Sequence, residues 1–310
     1  KTPHTEYIVA ILKDHYRVAV LSRGYGRKKK GYILADKDST SLEIGDEPFQ
    51  IKQKYHDIIV AVDGNRRRGI RNLLDLQTPP EVIVLDDAFQ HRYVKPSYSV
   101  VLSNYNRPIY EDTLLPAGRL RESMSHLKKA NIVVVTKCPK DMKPIDYRII
   151  SHDLNIFPYQ DLFFSTFEYK NLKSIFYHND ELGLDELKGR DILLVTGIAS
   201  PSAILKELAK YTDKVETITY PDHYTFKKKD IKKIKKKVDS IQSENKIIVV
   251  TEKDATRMIS NKILMEDEIR GKIYSLPIEV AFVDSEGEKF DDKIIRHVKE
   301  YSRNRIVYTK

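Results

Sequence analysis

The stretch VIVLDDAFQH, residues 82–91, decides how this sequence is read. Four apolar residues in succession predict a strand buried on both faces, and two adjacent carboxylates, Asp86 and Asp87, close it, with Gln90 and His91 just behind. Two charges side by side at the end of a core strand are costly unless a cation offsets them. Magnesium held together with a nucleotide is a common solution at the carboxyl end of a parallel strand. A strand that simply exits into a polar loop, with its carboxylates in water, is the plainer alternative.

The opening residues bear on that choice. The chain begins KTPHTEYIVAILKDHYRVAVLSRGYGR. After Lys1 and Thr2, the apolar residues Tyr7, Ile8, Ala10, Ile11 and Leu12 have helical spacing, and RVAVLS then reads as a short buried strand. Lys-Thr at a helix start is the tail of G-x-x-x-x-G-K-[ST], whose glycine loop is expected before residue 1. In that motif backbone N–H groups and the positive end of the helix hold phosphates. Lys1 would reach the outer phosphates, and the Thr2 hydroxyl would bind magnesium. With Asp86 and Asp87 at a later strand end, the two segments read as Walker A and Walker B.

At 310 residues the chain is long for one core, so two domains are expected. Its 41% apolar and 32% charged content describes a globular protein, and the net charge of +9 points to an anionic partner such as phosphate or an acidic membrane face. A lone cysteine, Cys138, excludes internal disulfides and suits a reducing compartment. No apolar run approaches the roughly 20 residues that span a bilayer. No signal peptide is evident, and an anchor would have to precede residue 1. Nucleic acid is a poor partner, because the lysines lack interleaved aromatics and no binding module is recognisable.

Short, almost wholly apolar strands at 17–22, 58–62, 82–86, 98–103 and 131–136 alternate with helical stretches, which predicts a parallel sheet covered on both faces. The expected architecture is an α/β P-loop NTPase core over 1–160, followed over 161–310 by a linking strand and a smaller α/β domain. LFFSTFEYKNLKSIF (162–176) reads as the exposed or linking strand, and DILLVTG, VETITY, KIIVVTEKD and IYSLPIEVAFVD as strands of the second domain. In KKKDIKKIKKKVDSI (227–241), Ile231, Ile234, Val238 and Ile241 share one helical face. An ordinary surface helix explains that pattern better than membrane docking does.

Seven stretches together resemble the tetraacyldisaccharide 4'-kinase family, P-loop kinases of lipid A biosynthesis. They are KTPH (1–4), LSRGYGR (21–27), GDEP (45–48), DDAFQH (86–91), LLPAGRLRE (114–122), the DH of YPDHYTF (222–223) and TEKDA (251–255), in the family's order. The family usually has glycine where this chain has Ala88, which requires φ below zero there or mild strain. The resemblance implies transfer of the ATP γ-phosphoryl group to the 4'-hydroxyl of a membrane-borne, acylated disaccharide phosphate. It also implies ATP and Mg2+, and a place at the cytoplasmic face of a Gram-negative inner membrane, peripheral or anchored from before residue 1.

The residues suit that chemistry, which depends on neutralising and positioning charge more than on covalent steps. Lys1 and Thr2 hold nucleotide and metal; Asp86, Asp87, Gln90 and Glu122 are the remaining candidates for the metal shell. For Glu122 a salt bridge to Arg119 or Arg121 is an equal alternative. DGNRRRGIR (63–71) offers Arg67 and Arg68 for bidentate phosphate contacts, and SRGYGR offers Arg23 and Tyr25 for a sugar phosphate. For TEKDA, a structural strand-to-helix turn is the expectation. The resemblance marks GDEP and the DH as family signatures. The expectation is that Asp46 acts as base for the acceptor hydroxyl and His223 orients or tunes it as two domains close. The plainer alternatives are a turn-capping aspartate and a polar loop residue beside Asp222. A P-loop kinase with a soluble acceptor, or a nucleotide switch that transfers nothing, are the rival readings.

Overall fold

Residues Ile132–Thr136, IVVVT, are buried along their whole length because a parallel strand flanks them on each side. Val100–Asn104 pairs with one edge and Asp161–Tyr169 with the other. Ile278–Phe282 follows beyond Asp161–Tyr169. A second parallel set places Val18–Ser22 between Ile59–Val62 and Val82–Leu85. The expected positions hold to within two residues, and Val18–Ser22 and Ile132–Thr136 are buried throughout. The expectation of burial on both faces is corrected for Val82–Leu85, which is an edge strand and only partly buried, because no strand covers its outer side among the described residues. This is a computed structural model, and it describes residues 1–177, 180–198, 200–260 and 268–307.

The helix Thr2–Lys13 starts with proline in its first turn, where no N–H is needed, and buries His4, Thr5, Glu6, Val9 and Leu12. It is fixed at two points in its first half. His4 Nε2 lies 3.0 Å from Ser165 Oγ on the Asp161–Tyr169 strand. Tyr7 packs edge-on against Phe282 and Phe290 and donates its hydroxyl to Asp291 at 2.9 Å. The Gly287–Val307 helix therefore belongs with the first helix of the chain.

The chain divides into two compact units, but not at residue 160. Lys1–Arg23, Asp57–Glu168 and Val280–Lys310 form one; Gly24–His56 and Tyr169–Glu279 form the other. The contiguous division expected from the sequence is corrected accordingly. The expected linking strand is also corrected: Asp161–Tyr169 is an interior member of the first unit's sheet, with Phe163 and Ser165 fully buried.

The second unit is built on six strands in the order Val215–Thr219, Asp191–Thr196, Lys246–Thr251, Ile273–Leu276, Leu172–Ser174, Glu181–Leu182. The first four are mutually parallel, and the last two add antiparallel pairs. The lysine-rich helix Lys228–Ser240 turns Ile231, Ile234 and Val238 into this sheet, against Leu193, Val195, Ile248 and Val250. Each such side chain contributes about 1.5–3 kcal/mol by leaving water, so Ile234→Asp would detach the helix. Its apolar face is spent on the core, as expected of an ordinary surface helix. Among the described residues, no helix is long and apolar enough to cross a membrane.

Candidate active site

The question raised by Asp86 and Asp87 has a simple structural answer: only one of them is buried. Asp86 is 8% exposed. It accepts hydrogen bonds from the Thr5 hydroxyl at 3.1 Å and the Ser22 hydroxyl at 3.3 Å. Asp87 turns outward in the left-handed region, φ 46°. Its carboxylate receives Lys1 Nζ at 2.8 Å on one oxygen and Arg121 Nη1 at 3.1 Å on the other. Partial burial opposes ionisation of Asp87, but Lys1, then Arg121, outweigh it and hold the carboxyl below the usual range. Ala88 is not among the residues at positive φ, because Asp87 takes the left-handed position of this turn.

Gln90 lies half-buried in the same loop, whose turn is closed by His91 N–H on the Ala88 carbonyl. Glu122 pairs with neither Arg119 nor Arg121. Its carboxylate meets His126 Nδ1 at 2.5 Å, one helical turn on. The arginines of DGNRRRGIR separate by role. Arg68 makes a two-pronged contact with the buried Asp63, Nε at 2.7 Å and Nη2 at 2.8 Å. Arg66, which the sequence did not single out, is the buried one and donates to the backbone carbonyls of Asp63 and Asp86. Arg67 is exposed, as is Arg23.

The donors around Asp86 and Asp87 are hard oxygens, which fits magnesium. Thr2 precedes Thr5 by three positions on one helix, so its hydroxyl shares the face that carries Thr5 to Asp86. Among the described residues there is no cluster of three or more His, Cys, Asp or Glu. The set therefore suits a cation completed by substrate phosphates rather than an all-protein cage.

In the second unit, Tyr25, Gly26, Ser41, Leu42, Asp46, His223, Thr225 and Arg257 line a small cleft. Two glycines at positive φ bring its walls together. Gly24 has φ 65° and Gly45 φ 97°, and a Cβ on Gly45 would stand 3.0 Å from the Gly24 Cα. That close approach lays Gly24 and Tyr25 beside the first residue of the Asp46–Lys54 helix. Asp46 Oδ2 is 3.6 Å from His223 Nδ1. His223 also sits in the left-handed region, φ 58°, with its N–H on Asp222 Oδ1 at 2.9 Å and its ring 5.4 Å from that of Tyr25.

The shortest contact of Asp46 is with a residue outside the expected site, Arg257, whose Nε donates to Oδ2 at 2.8 Å. Nη1 of Arg257 donates to Asp254 at 3.1 Å and to the Gly197 carbonyl at 3.2 Å. Asp254, wholly buried, also accepts from the Thr251 and Thr196 hydroxyls and the Gly197 N–H. Lys253 pairs with Glu47 at 2.7 Å. Charges three and four apart directly after a wholly apolar strand were the available signal. A helix starting there has to bury them, and buried charges need partners.

The family profile described as Tetraacyldisaccharide-1-P 4'-kinase matches residues 1–299. A tetraacyldisaccharide 4'-kinase of Bacteroides thetaiotaomicron is 51% identical over 98% of this chain and 82% of its own length. One of Flavobacterium psychrophilum is 42% identical over 98% of this chain and 84% of its own. Among solved structures, LpxK from Aquifex aeolicus, crystallised with ATP, superimposes with a TM-score of 0.71 at 26% identity, covering 96% of this chain and 83% of that one.

Proposed function

The chain belongs to the tetraacyldisaccharide 4'-kinase family, and from that premise we propose how its own residues carry the reaction. It is a kinase that transfers the ATP γ-phosphoryl group to the 4'-hydroxyl of a tetraacyldisaccharide 1-phosphate in lipid A biosynthesis. Asp46 takes the hydroxyl proton as the acceptor oxygen attacks the γ-phosphorus. The new P–O bond forms as the bond to the β-phosphate oxygen breaks, and ADP leaves. His223 orients Asp46. Lys1 leaves Asp87 to hold the outer phosphates, and Arg121 remains to offset the charge of Asp87.

Thr2, Asp86 and Asp87 would hold magnesium, with Gln90 beside them; Glu122, occupied by His126, orients that neighbour instead. Bound magnesium neutralises charge on the β- and γ-phosphates. Arg23, Tyr25 and Arg67 are the candidates for the sugar and its phosphate, while Arg68 shapes the loop through Asp63. Two exposed lysine runs follow cleft residues closely in sequence: Lys28–Lys30 begins two residues after Gly26, and Lys227–Lys229 two after Thr225. Lysines there suit an anionic membrane surface, where the acylated substrate resides.

The observation that carries this reading is the Asp46 carboxylate in the cleft, held within reach of His223. The test is transfer from γ-labelled ATP to the tetraacyldisaccharide 1-phosphate by the full protein. Asp46→Ala is expected to lower kcat by roughly 10²–10⁴ with ATP affinity by calorimetry unchanged. An undiminished kcat would overturn the assignment of the base.

A further inference from the structure

We infer that Arg257 is the positioning residue of this reaction, fixing which oxygen of Asp46 and which nitrogen of His223 face the substrate. The inference rests on reading Asp46 as the base.

A guanidinium with its side chain 4% exposed is expensive to bury unless its donors are used. A guanidinium has five N–H groups and no acceptor. Arg257 divides them between an anchor and a target. Nη1 is anchored on Asp254 Oδ1 and the Gly197 carbonyl. The anchor is itself rigid. Asp254 is locked by two hydroxyls and a backbone N–H, and a Cβ on Gly197 would stand 3.2 Å from Asp254 Oδ1. Nε and Nη2 are left to face the cleft, Nε on Asp46 Oδ2 at 2.8 Å and Nη2 towards His223 Nδ1 at 3.4 Å.

Two consequences follow from the placement of these donors. Nη2 towards Nδ1 on one side and Asp222 Oδ2 at 3.9 Å from Nε2 on the other fix the plane of the His223 ring. With Oδ2 of Asp46 shared by Arg257 and His223, Oδ1 is the oxygen left to accept the hydroxyl proton. The fixed positive charge beside Asp46 is then Arg257, and His223 contributes orientation.

A neighbouring pair separates positioning from mere helix alignment. Lys253 and Glu47, at 2.7 Å, tie the same two helices together without touching the Asp46 carboxylate. If Arg257 only held the helices in register, losing either pair would have the same kind of effect.

The experiment is a double-mutant cycle in the full protein, reading kcat, KM for ATP and thermal midpoint for Arg257→Ala, Asp46→Ala, the double variant and Lys253→Ala. Arg257→Ala is expected to lower kcat about 10²-fold, the usual result of misplacing a reacting group by about an ångström, with KM for ATP within about threefold. In the Asp46→Ala background the same substitution should cost no more than about threefold, because its target is gone. Lys253→Ala should lower the thermal midpoint with kcat within about threefold. Should Arg257→Ala fail to fold, Arg257→Lys takes its place in the cycle. It keeps a charge for Asp254 but cannot reach Asp46 and His223 together, and the same non-additivity is expected. Multiplying losses, or an unchanged kcat in the folded variant, would overturn the inference. An undiminished Asp46→Ala enzyme would instead remove the base assignment, a result distinct from a failure at Arg257.

Discussion

His223 Nδ1 lies 3.6 Å from Asp46 Oδ2, and both residues belong to the same compact unit. The sequence suggested that they meet when two domains close; within one unit the pair is already formed. His223→Ala should therefore lower kcat by about 10–100-fold, the usual cost of losing an orienting partner. The Asp46→Ala/His223→Ala enzyme should be no slower than Asp46→Ala alone. Steady-state rates at saturating ATP check this, and independent, multiplying losses would show that the two act separately.

Asp86 and Asp87 occupy different surroundings, so their amides should fail differently. Asp86→Asn disturbs a buried carboxylate that takes two hydroxyl hydrogen bonds, and should lower the unfolding midpoint as well as activity. Asp87→Asn leaves the core untouched and should keep the midpoint within about 2 °C, a surface-sized effect. Its magnesium requirement should nevertheless rise by more than about 100-fold. Titrating activity with magnesium beside thermal unfolding separates the two; equal behaviour in both assays would refute the distinction.

His4 gives a pH signature. Burial, with the ring 5% exposed, pushes its pKa down to about 3. An unfolded histidine takes a proton near pH 6.5, so between about 6.5 and 3 the unfolded chain binds a proton that the folded chain refuses. Stability should be fully retained above that window and fall as pH drops through it. In urea titrations at pH 7.5 and 5.0, the native protein should lose about 2 kcal/mol more than His4→Gln does. Parallel losses in the two proteins would mean that His4 is protonated in the folded state.

The two lysine runs make a prediction about lipid. Each lysine near an anionic surface contributes about 1 kcal/mol, so Lys28→Glu, Lys30→Glu and Lys229→Glu together should weaken binding to phosphatidylglycerol vesicles by more than about 10²-fold. Turnover of a deacylated, soluble acceptor should be unchanged. Vesicle sedimentation at two salt concentrations checks it, and unaltered binding would remove these lysines from any role at a membrane.

Much of the first unit was legible, because burial on both faces writes itself as uninterrupted apolar runs such as Ile132–Thr136. Lys1 and Asp87 were likewise recognisable, and the structure joins them. What stayed hidden depends on contacts between distant segments. No local pattern records that Gly24–His56 belongs with Tyr169–Glu279; that follows from Gly24 packing on Gly45, and from Asp46 and Glu47 pairing with Arg257 and Lys253. The Asp161–Tyr169 strand misled because its alternation of aromatic and polar residues suggested a solvent face. Ser165 instead turns inward to meet His4. Asp254 reads only as part of a strand-to-helix turn and Arg257 is not singled out by the sequence, since a satisfied buried ion pair has the same letters as an exposed one.

The hydrogen bond from Tyr7 to Asp291 spans 284 residues, and the chain crosses between its units after Arg23, His56, Glu168 and Glu279. On a ribosome moving at about 5–20 residues per second, the first helix emerges roughly 15–60 s before the helix it packs against exists. Until then Tyr7 and its apolar neighbours have no permanent partner, while the second unit's strands appear almost consecutively. The second unit is thus placed to fold during synthesis, and the helix Thr2–Lys13 to be secured last. A nascent chain stalled before residue 287 would present that helix to chaperones and proteases.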